Sequence, residues 1–137
     1  MSDNNSKKGR VLVVDDEPLV RNAVRMVLMI DGYNVETAVD GHQALAKLDA
    51  EVFDLVILDF EMPEMKGDQL AKIVKQRFPC LPTIMLSAYG ESLRSPERPL
   101  TGVDLLLDKP FSLEMLREGI AKTLAIYTDL SKAYVGV

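Results

Sequence analysis

Several residues able to do chemistry stand where apolar runs end. Asp15 and Asp16 follow RVLVV (Arg10 to Val14), and Asp59 follows FDLVIL (Phe53 to Leu58). Ser87 follows PTIML (Pro82 to Leu86), and Lys109 comes just after VDLLL (Val103 to Leu107) and Asp108. Three carboxylates in one pocket repel one another and hold their protons to higher pH. A hard dication relieves that repulsion: Mg²⁺ takes carboxylate oxygens, retains waters, and has positions open to phosphate oxygens. An ionised aspartate is a nucleophile at neutral pH without a general base. Phosphoryl transfer needs positioning and charge neutralisation above all. In such a reaction Asp59 is the nucleophile, Lys109 a second charge clamp beside the metal, and the Ser87 hydroxyl a neutral hydrogen-bond donor. Each residue also has a plainer role. Asp15 and Asp16 suit the cap of a following helix, Ser87 a turn, and Lys109 a surface position. Asp59 is the hardest to explain structurally, since nothing at the end of an apolar strand requires a carboxylate.

The elements that must gather these residues are legible from periodicity. Arg10 to Val14, Asn34 to Ala38, Phe53 to Leu58, Pro82 to Leu86 and Val103 to Leu107 read as strands. Between them lie helical stripes. Val20, Ala23, Val24, Val27 and Leu28 follow Pro18 and end at Gly32, while Ala44, Leu45 and Leu48 fall within Gly41 to Ala50. Leu70, Ile73, Val74 and Phe78 form a third stripe from Gly67. Leu113, Leu116, Ile120, Leu124 and Tyr127 form the last, capped by Ser112. The stretch between Ser87 and Gly102 should hold a fourth helix, but Pro96 and Pro99 restrict it to a short or distorted one. Strands alternating with helices predict a parallel sheet covered on both faces. Five such units suggest the flavodoxin-like (βα)5 order 2-1-3-4-5. Ligands in open α/β sheets bind outside the carboxyl ends of the strands, where strand order reverses. That crevice would bring Asp15, Asp16 and Asp59 together, with Ser87 and Lys109 on its flank.

Composition narrows the class. At 137 residues, 47% hydrophobic and 27% charged, the chain predicts one ordinary globular domain. Residues 1–9 read as a disordered lead, 10–128 as the domain, and 129–137 as a tail. A net charge of −5 weighs against direct nucleic-acid binding. The single cysteine, Cys80, cannot form an internal disulfide. With one histidine, His42, no thiol–imidazole pair is expected, and both residues read as structural or surface positions. The polar start lacks a signal-peptide stretch, and no apolar run nears the ~20 residues of a membrane span, so a cytoplasmic location is expected.

The strings VLVVDDEP (Val11 to Pro18), LDFEMPEMKG (Leu58 to Gly67), LSAYG (Leu86 to Gly90) and DKPF (Asp108 to Phe111) resemble the receiver domains of two-component response regulators. Asp40-Gly41 adds to the match, which covers roughly residues 10 to 127. Any one string is weak; the set, in order and at these spacings, is strong. The resemblance implies phosphorylation of Asp59 by a sensor histidine kinase, a phosphotransfer protein or a small acyl phosphate. It implies Mg²⁺ bound by Asp16 directly, by Asp15 largely through water, by Asp59, and by the Glu61 backbone carbonyl. It places Ser87 and Lys109 on the phosphoryl group and makes Lys109-Pro110 a cis peptide bond. It also implies a signalling switch rather than an enzyme, acting on a downstream protein as a monomer or a phosphorylation-dependent homodimer. Leu106 departs from the pattern, since that position, three before the lysine, is usually aromatic. Tyr89, two after Ser87, is a candidate to cover the site instead. Two other readings are weighed: a receiver-like interaction module independent of phosphorylation, and an aspartyl-phosphate hydrolase with Glu61 in the acid/base position.

Overall fold

The computed structural model describes residues 8–94 and 100–135. Its order is β1 (Arg10–Val14), α1 (Pro18–Ile30), β2 (Asn34–Ala38), α2 (Gly41–Ala50), β3 (Leu55–Asp59), α3 (Gly67–Arg77), β4 (Thr83–Ser87), α4 (Gly90–Leu93), β5 (Leu105–Asp108) and α5 (Leu113–Val135). The strands form one parallel sheet in the order β2-β1-β3-β4-β5, the expected flavodoxin-like arrangement.

Alternation along the strands divides the core in two. Val11, Val13, Leu55, Ile57, Ile84 and Leu86 face Val24, Val27 and Leu28 of α1 and Leu116 and Ile120 of α5. Leu12, Val14, Val56, Leu58 and Met85 face the other way, onto Ala44 and Leu48 of α2 and Leu70, Ala71 and Val74 of α3. The inner strands β3 and β4 are buried throughout, whereas β2 and β5 at the edges are only partly covered. This accounts for the continuous apolar runs of the central strands.

Local chemistry sets the helix ends. Pro18 opens α1, where its missing N–H is not needed. Gly32, at φ +99°, turns the chain out of it while the Tyr33 N–H bonds the Leu28 carbonyl at 3.0 Å. Asp40 caps α2 by accepting the Gln43 N–H at 2.8 Å. Ser112 caps α5 by accepting the Met115 N–H at 3.1 Å.

Several bounds differ from the sequence reading. β3 and β4 end on Asp59 and Ser87 rather than before them, because the ladder continues through polar residues: the Phe60 N–H still bonds the Leu86 carbonyl at 2.9 Å. α5 continues past Tyr127 to Val135, so most of the expected tail at 129–137 is helical. Order begins ahead of β1: the Lys8 N–H bonds the Gly32 carbonyl, and the Gly9 carbonyl accepts from Asn34. The rest of the expected disordered lead lies outside the described residues. α4 is short, as expected, and Pro96 and Pro99 fall in 95–99, also outside them. Among the described residues, no helix is long and apolar enough to cross a membrane.

Candidate functional site

The carboxyl ends of β1 and β3 bring Asp15, Asp16 and Asp59 together, so that one carboxylate oxygen from each lies within 4.8 Å of the others. Asp15 is almost fully buried. Its backbone N–H bonds the Ala38 carbonyl at 3.1 Å, and its Oδ1 accepts the Glu17 N–H at 2.9 Å. Arg21 Nη1 donates to the Asp15 carbonyl at 2.9 Å, tying α1 to this corner. Asp15 Oδ2 is buried and has no hydrogen-bond partner. Asp16 is exposed at the mouth of the cluster.

Asp59 is buried at the end of β3, and Lys109 Nζ donates to its Oδ1 at 2.5 Å. Strand alternation explains the meeting. Asp59 continues the face of Ile57, and Lys109 continues that of Leu107, both toward α1 and α5. The Lys109-Pro110 bond is cis. Gly67 lets the start of α3 approach, since a Cβ there would strike the Asp59 carbonyl and the Phe60 backbone. The intervening loop contains Glu64 at φ 66°, a left-handed conformation uncommon outside glycine.

The electrostatics are those of crowded, buried acids. Burial pushes the Asp15 carboxyl up from 3.8 to about 6; the Glu17 N–H and Lys109 pull it down, and Asp59 and Asp16 raise it. Asp59 is raised as well, chiefly by burial and with a contribution from Asp16, against the hydrogen bond and charge of Lys109 and the Glu61 backbone N–H. Uncompensated acids and an orphaned, buried carboxylate oxygen are what a cation would relieve. An all-oxygen donor set suits a hard one.

Ser87 is buried at the end of β4. Its Oγ accepts the Tyr89 N–H at 2.8 Å, and its carbonyl accepts the Lys109 N–H at 2.8 Å. A hydroxyl that accepts one bond still has its proton to donate. The cavity at the acidic cluster is lined by Asp16, Asp59, Glu61, Lys66 and Lys109 among others, and by neither Ser87 nor Tyr89. Tyr89 stands edge-to-face with Phe60, ring centroids 6.4 Å apart. Cys80 and His42 are exposed and also lie outside the lining of that cavity.

Two cations escaped the sequence reading. Lys66 lines the cavity with Asp59 and Glu61, and its Nζ lies 3.3 Å from Glu61 Oε2. Its place in EMPEMKG was the available signal, a cation just before the glycine that abuts Asp59. Arg94 reaches from the end of α4 to Asp108, the neighbour of Lys109. That contact depends on how α4 lies on β5, which periodicity does not encode.

A parallel sheet of this order, with acids and a lysine at its switch point, defines an α/β phosphoacceptor fold. The profile of the response regulator receiver domain family matches residues 11–121. The transcriptional regulatory protein TrcR of Mycobacterium tuberculosis is 38% identical over 107 residues, 78% of this chain and 42% of that protein. Among solved structures, a response regulator receiver domain protein from Methanospirillum hungatei superposes with a TM-score of 0.79 at 29% identity, over 88% of this chain and 96% of its own. The response regulator TrrA of Thermotoga maritima, solved in complex with Mg²⁺-BeF, does so with a TM-score of 0.76 at 34% identity, over 83% and 97%. The chain belongs to the response regulator receiver domain family. It is thus a phosphoacceptor switch of two-component signalling rather than a turnover enzyme, which sets aside the hydrolase reading. It spans less than half the length of the curated relatives it matches.

Proposed function

We propose that Asp59 accepts the phosphoryl group, with Mg²⁺ held by Asp15, Asp16, Asp59 and the Glu61 carbonyl, and with Lys109 and Ser87 on the phosphoryl oxygens. The observation that carries this is the cluster itself: three carboxylates within 4.8 Å, one of them with an orphaned oxygen, and Lys109 on Asp59. The Mg²⁺-BeF complex of TrrA supports the choice of ion. Bound here, Mg²⁺ would neutralise the carboxylates and share the charge of the phosphoryl oxygens.

An Asp59 carboxylate oxygen attacks phosphorus. The O–P bond forms as the bond from phosphorus to the donor's histidine nitrogen breaks, and the imidazole leaves with that electron pair. From acetyl phosphate the bond broken is P–O, and acetate leaves. Lys109 holds Asp59 in place before transfer and pairs with the added negative charge after it. The Ser87 hydroxyl donates a hydrogen bond to a phosphoryl oxygen.

The donor is a sensor histidine kinase or a phosphotransfer protein, and the output is a phosphorylation-dependent contact with a downstream protein. The receiver unit spans residues 10–128. It works in the cytoplasm, without direct nucleic-acid contact, as a monomer or a homodimer formed on phosphorylation. Intact mass after incubation with acetyl phosphate tests the core of this. One phosphoryl adduct should form with Mg²⁺, and none with EDTA or on Asp59→Ala. An adduct that persists on Asp59→Ala would refute the assignment.

A further inference from the structure

The guanidinium of Arg94, which ends α4, makes three hydrogen bonds to β5. Nη1 reaches both oxygens of Asp108, at 2.9 and 3.0 Å, and Nη2 reaches the Leu106 carbonyl at 3.0 Å. α4 sits hard against that carboxylate, since a Cβ on Gly90 would run into Asp108 Oδ1 and Arg94. Asp108 is the register partner of Ser87. Register partners on neighbouring strands project from the same face of a sheet. The Asp108 carboxylate is therefore the cross-strand neighbour of the Ser87 side chain.

That neighbour is a hazard to the site. An ionised carboxylate only accepts, and it accepts more strongly than a neutral oxygen. Ser87 Oγ already accepts from the Tyr89 N–H, so its proton is what remains to be given. With Asp108 unpaired, its carboxylate would compete for that proton's hydrogen bond. We propose that Arg94 is a positioning residue for phosphoryl transfer to Asp59: by holding both oxygens of Asp108, it leaves the Ser87 hydroxyl for the incoming phosphoryl group. The inference rests on Asp59 being the acceptor. Arg94 and Asp108 are about half exposed, at 46% and 53%, so their pairing adds little to stability.

The test is the rate of adduct formation from acetyl phosphate with Mg²⁺, followed by intact mass, on folded variants of the full chain. Arg94→Ala should slow it about 3- to 5-fold, the scale of one neutral hydrogen bond. Arg94→Lys, which keeps a cation on Asp108, should stay near wild type. Arg94→Ala with Asp108→Ala should recover the wild-type rate, because the competing acceptor is gone. In a Ser87→Ala background, Arg94→Ala should slow the reaction no further. If alanine unravels α4, Arg94→Gln takes its place in each comparison. An unchanged rate in Arg94→Ala overturns the proposal. So does an equal slowing with and without Ser87, which marks a long-range charge effect, or a double variant as slow as the single. A wild type that takes no phosphoryl group overturns the acceptor assignment itself, and this inference with it.

Discussion

Replacing Asp15 with Asn should stabilise the metal-free protein at neutral pH, although it removes a residue of the site. Asp15 is 1% exposed, with its carboxyl raised from 3.8 to about 6, mainly by burial. At about 1.4 kcal/mol per pH unit, that rise is a penalty of about 3 kcal/mol on the ionised form in the folded state. Asn keeps an oxygen for the Glu17 N–H. Its amide replaces the orphaned Oδ2 and brings donors into a cluster otherwise made of the acceptor oxygens of Asp16 and Asp59. Allowing for imperfect geometry, the net gain should be about 1–3 kcal/mol in EDTA at pH 7. The sign with pH follows from the raised value. The stability tied to protonated Asp15 is present in full below 3.8 and is lost as pH climbs through about 6. Asn does not titrate, so the variant's advantage should be near zero at the acid end, grow across that window, and level off above it. Urea unfolding followed by far-ultraviolet circular dichroism reads this directly. In Mg²⁺ the wild type should gain more than the variant, since a ligand of the folded state stabilises by mass action. An Asp15→Asn protein no more stable than wild type in EDTA at pH 7 would refute the strained-carboxylate picture.

Other perturbations have equally definite outcomes. Lys109→Ala leaves Asp59 buried without its cation, and should cost about 2–4 kcal/mol in EDTA by urea unfolding, with part recovered in Mg²⁺. Gly67→Ala drives a methyl into the Asp59 carbonyl and the Phe60 backbone, and should lower stability by about 1–3 kcal/mol in the same assay. The Tyr127 hydroxyl is pushed up to about 12 by burial and by its hydrogen bond to Asp104. Its contribution to stability should hold below the ordinary 10 and fade as pH rises toward 12, and Tyr127→Phe should remove a phenol that ionises near 12 in an ultraviolet titration.

Much of the site was legible because its residues end apolar runs. Once RVLVV and FDLVIL are parallel neighbours, Asp15, Asp16 and Asp59 must share one edge of the sheet. Lys109 was legible for the same reason, as the residue just beyond β5 on the face of Leu107. The turn around Ser87 was not, since the Tyr89 N–H that binds its Oγ depends on backbone dihedrals after the strand. Lys66 and Arg94 act across loops and between elements, where hydrophobic spacing carries no information. The length of α5 beyond Tyr127 has a sequence signal, since Leu130 and Tyr134 continue the same helical spacing.

The most direct measurement is to locate the phosphoryl group. Protein phosphorylated with acetyl phosphate and Mg²⁺ is treated with borohydride, which reduces an aspartyl phosphate to homoserine, and its peptides are sequenced by mass spectrometry. Homoserine should appear at position 59, only when Mg²⁺ was present. Homoserine at another aspartate, or a phosphoryl adduct that leaves Asp59 intact, would contradict the assignment of Asp59 as the acceptor.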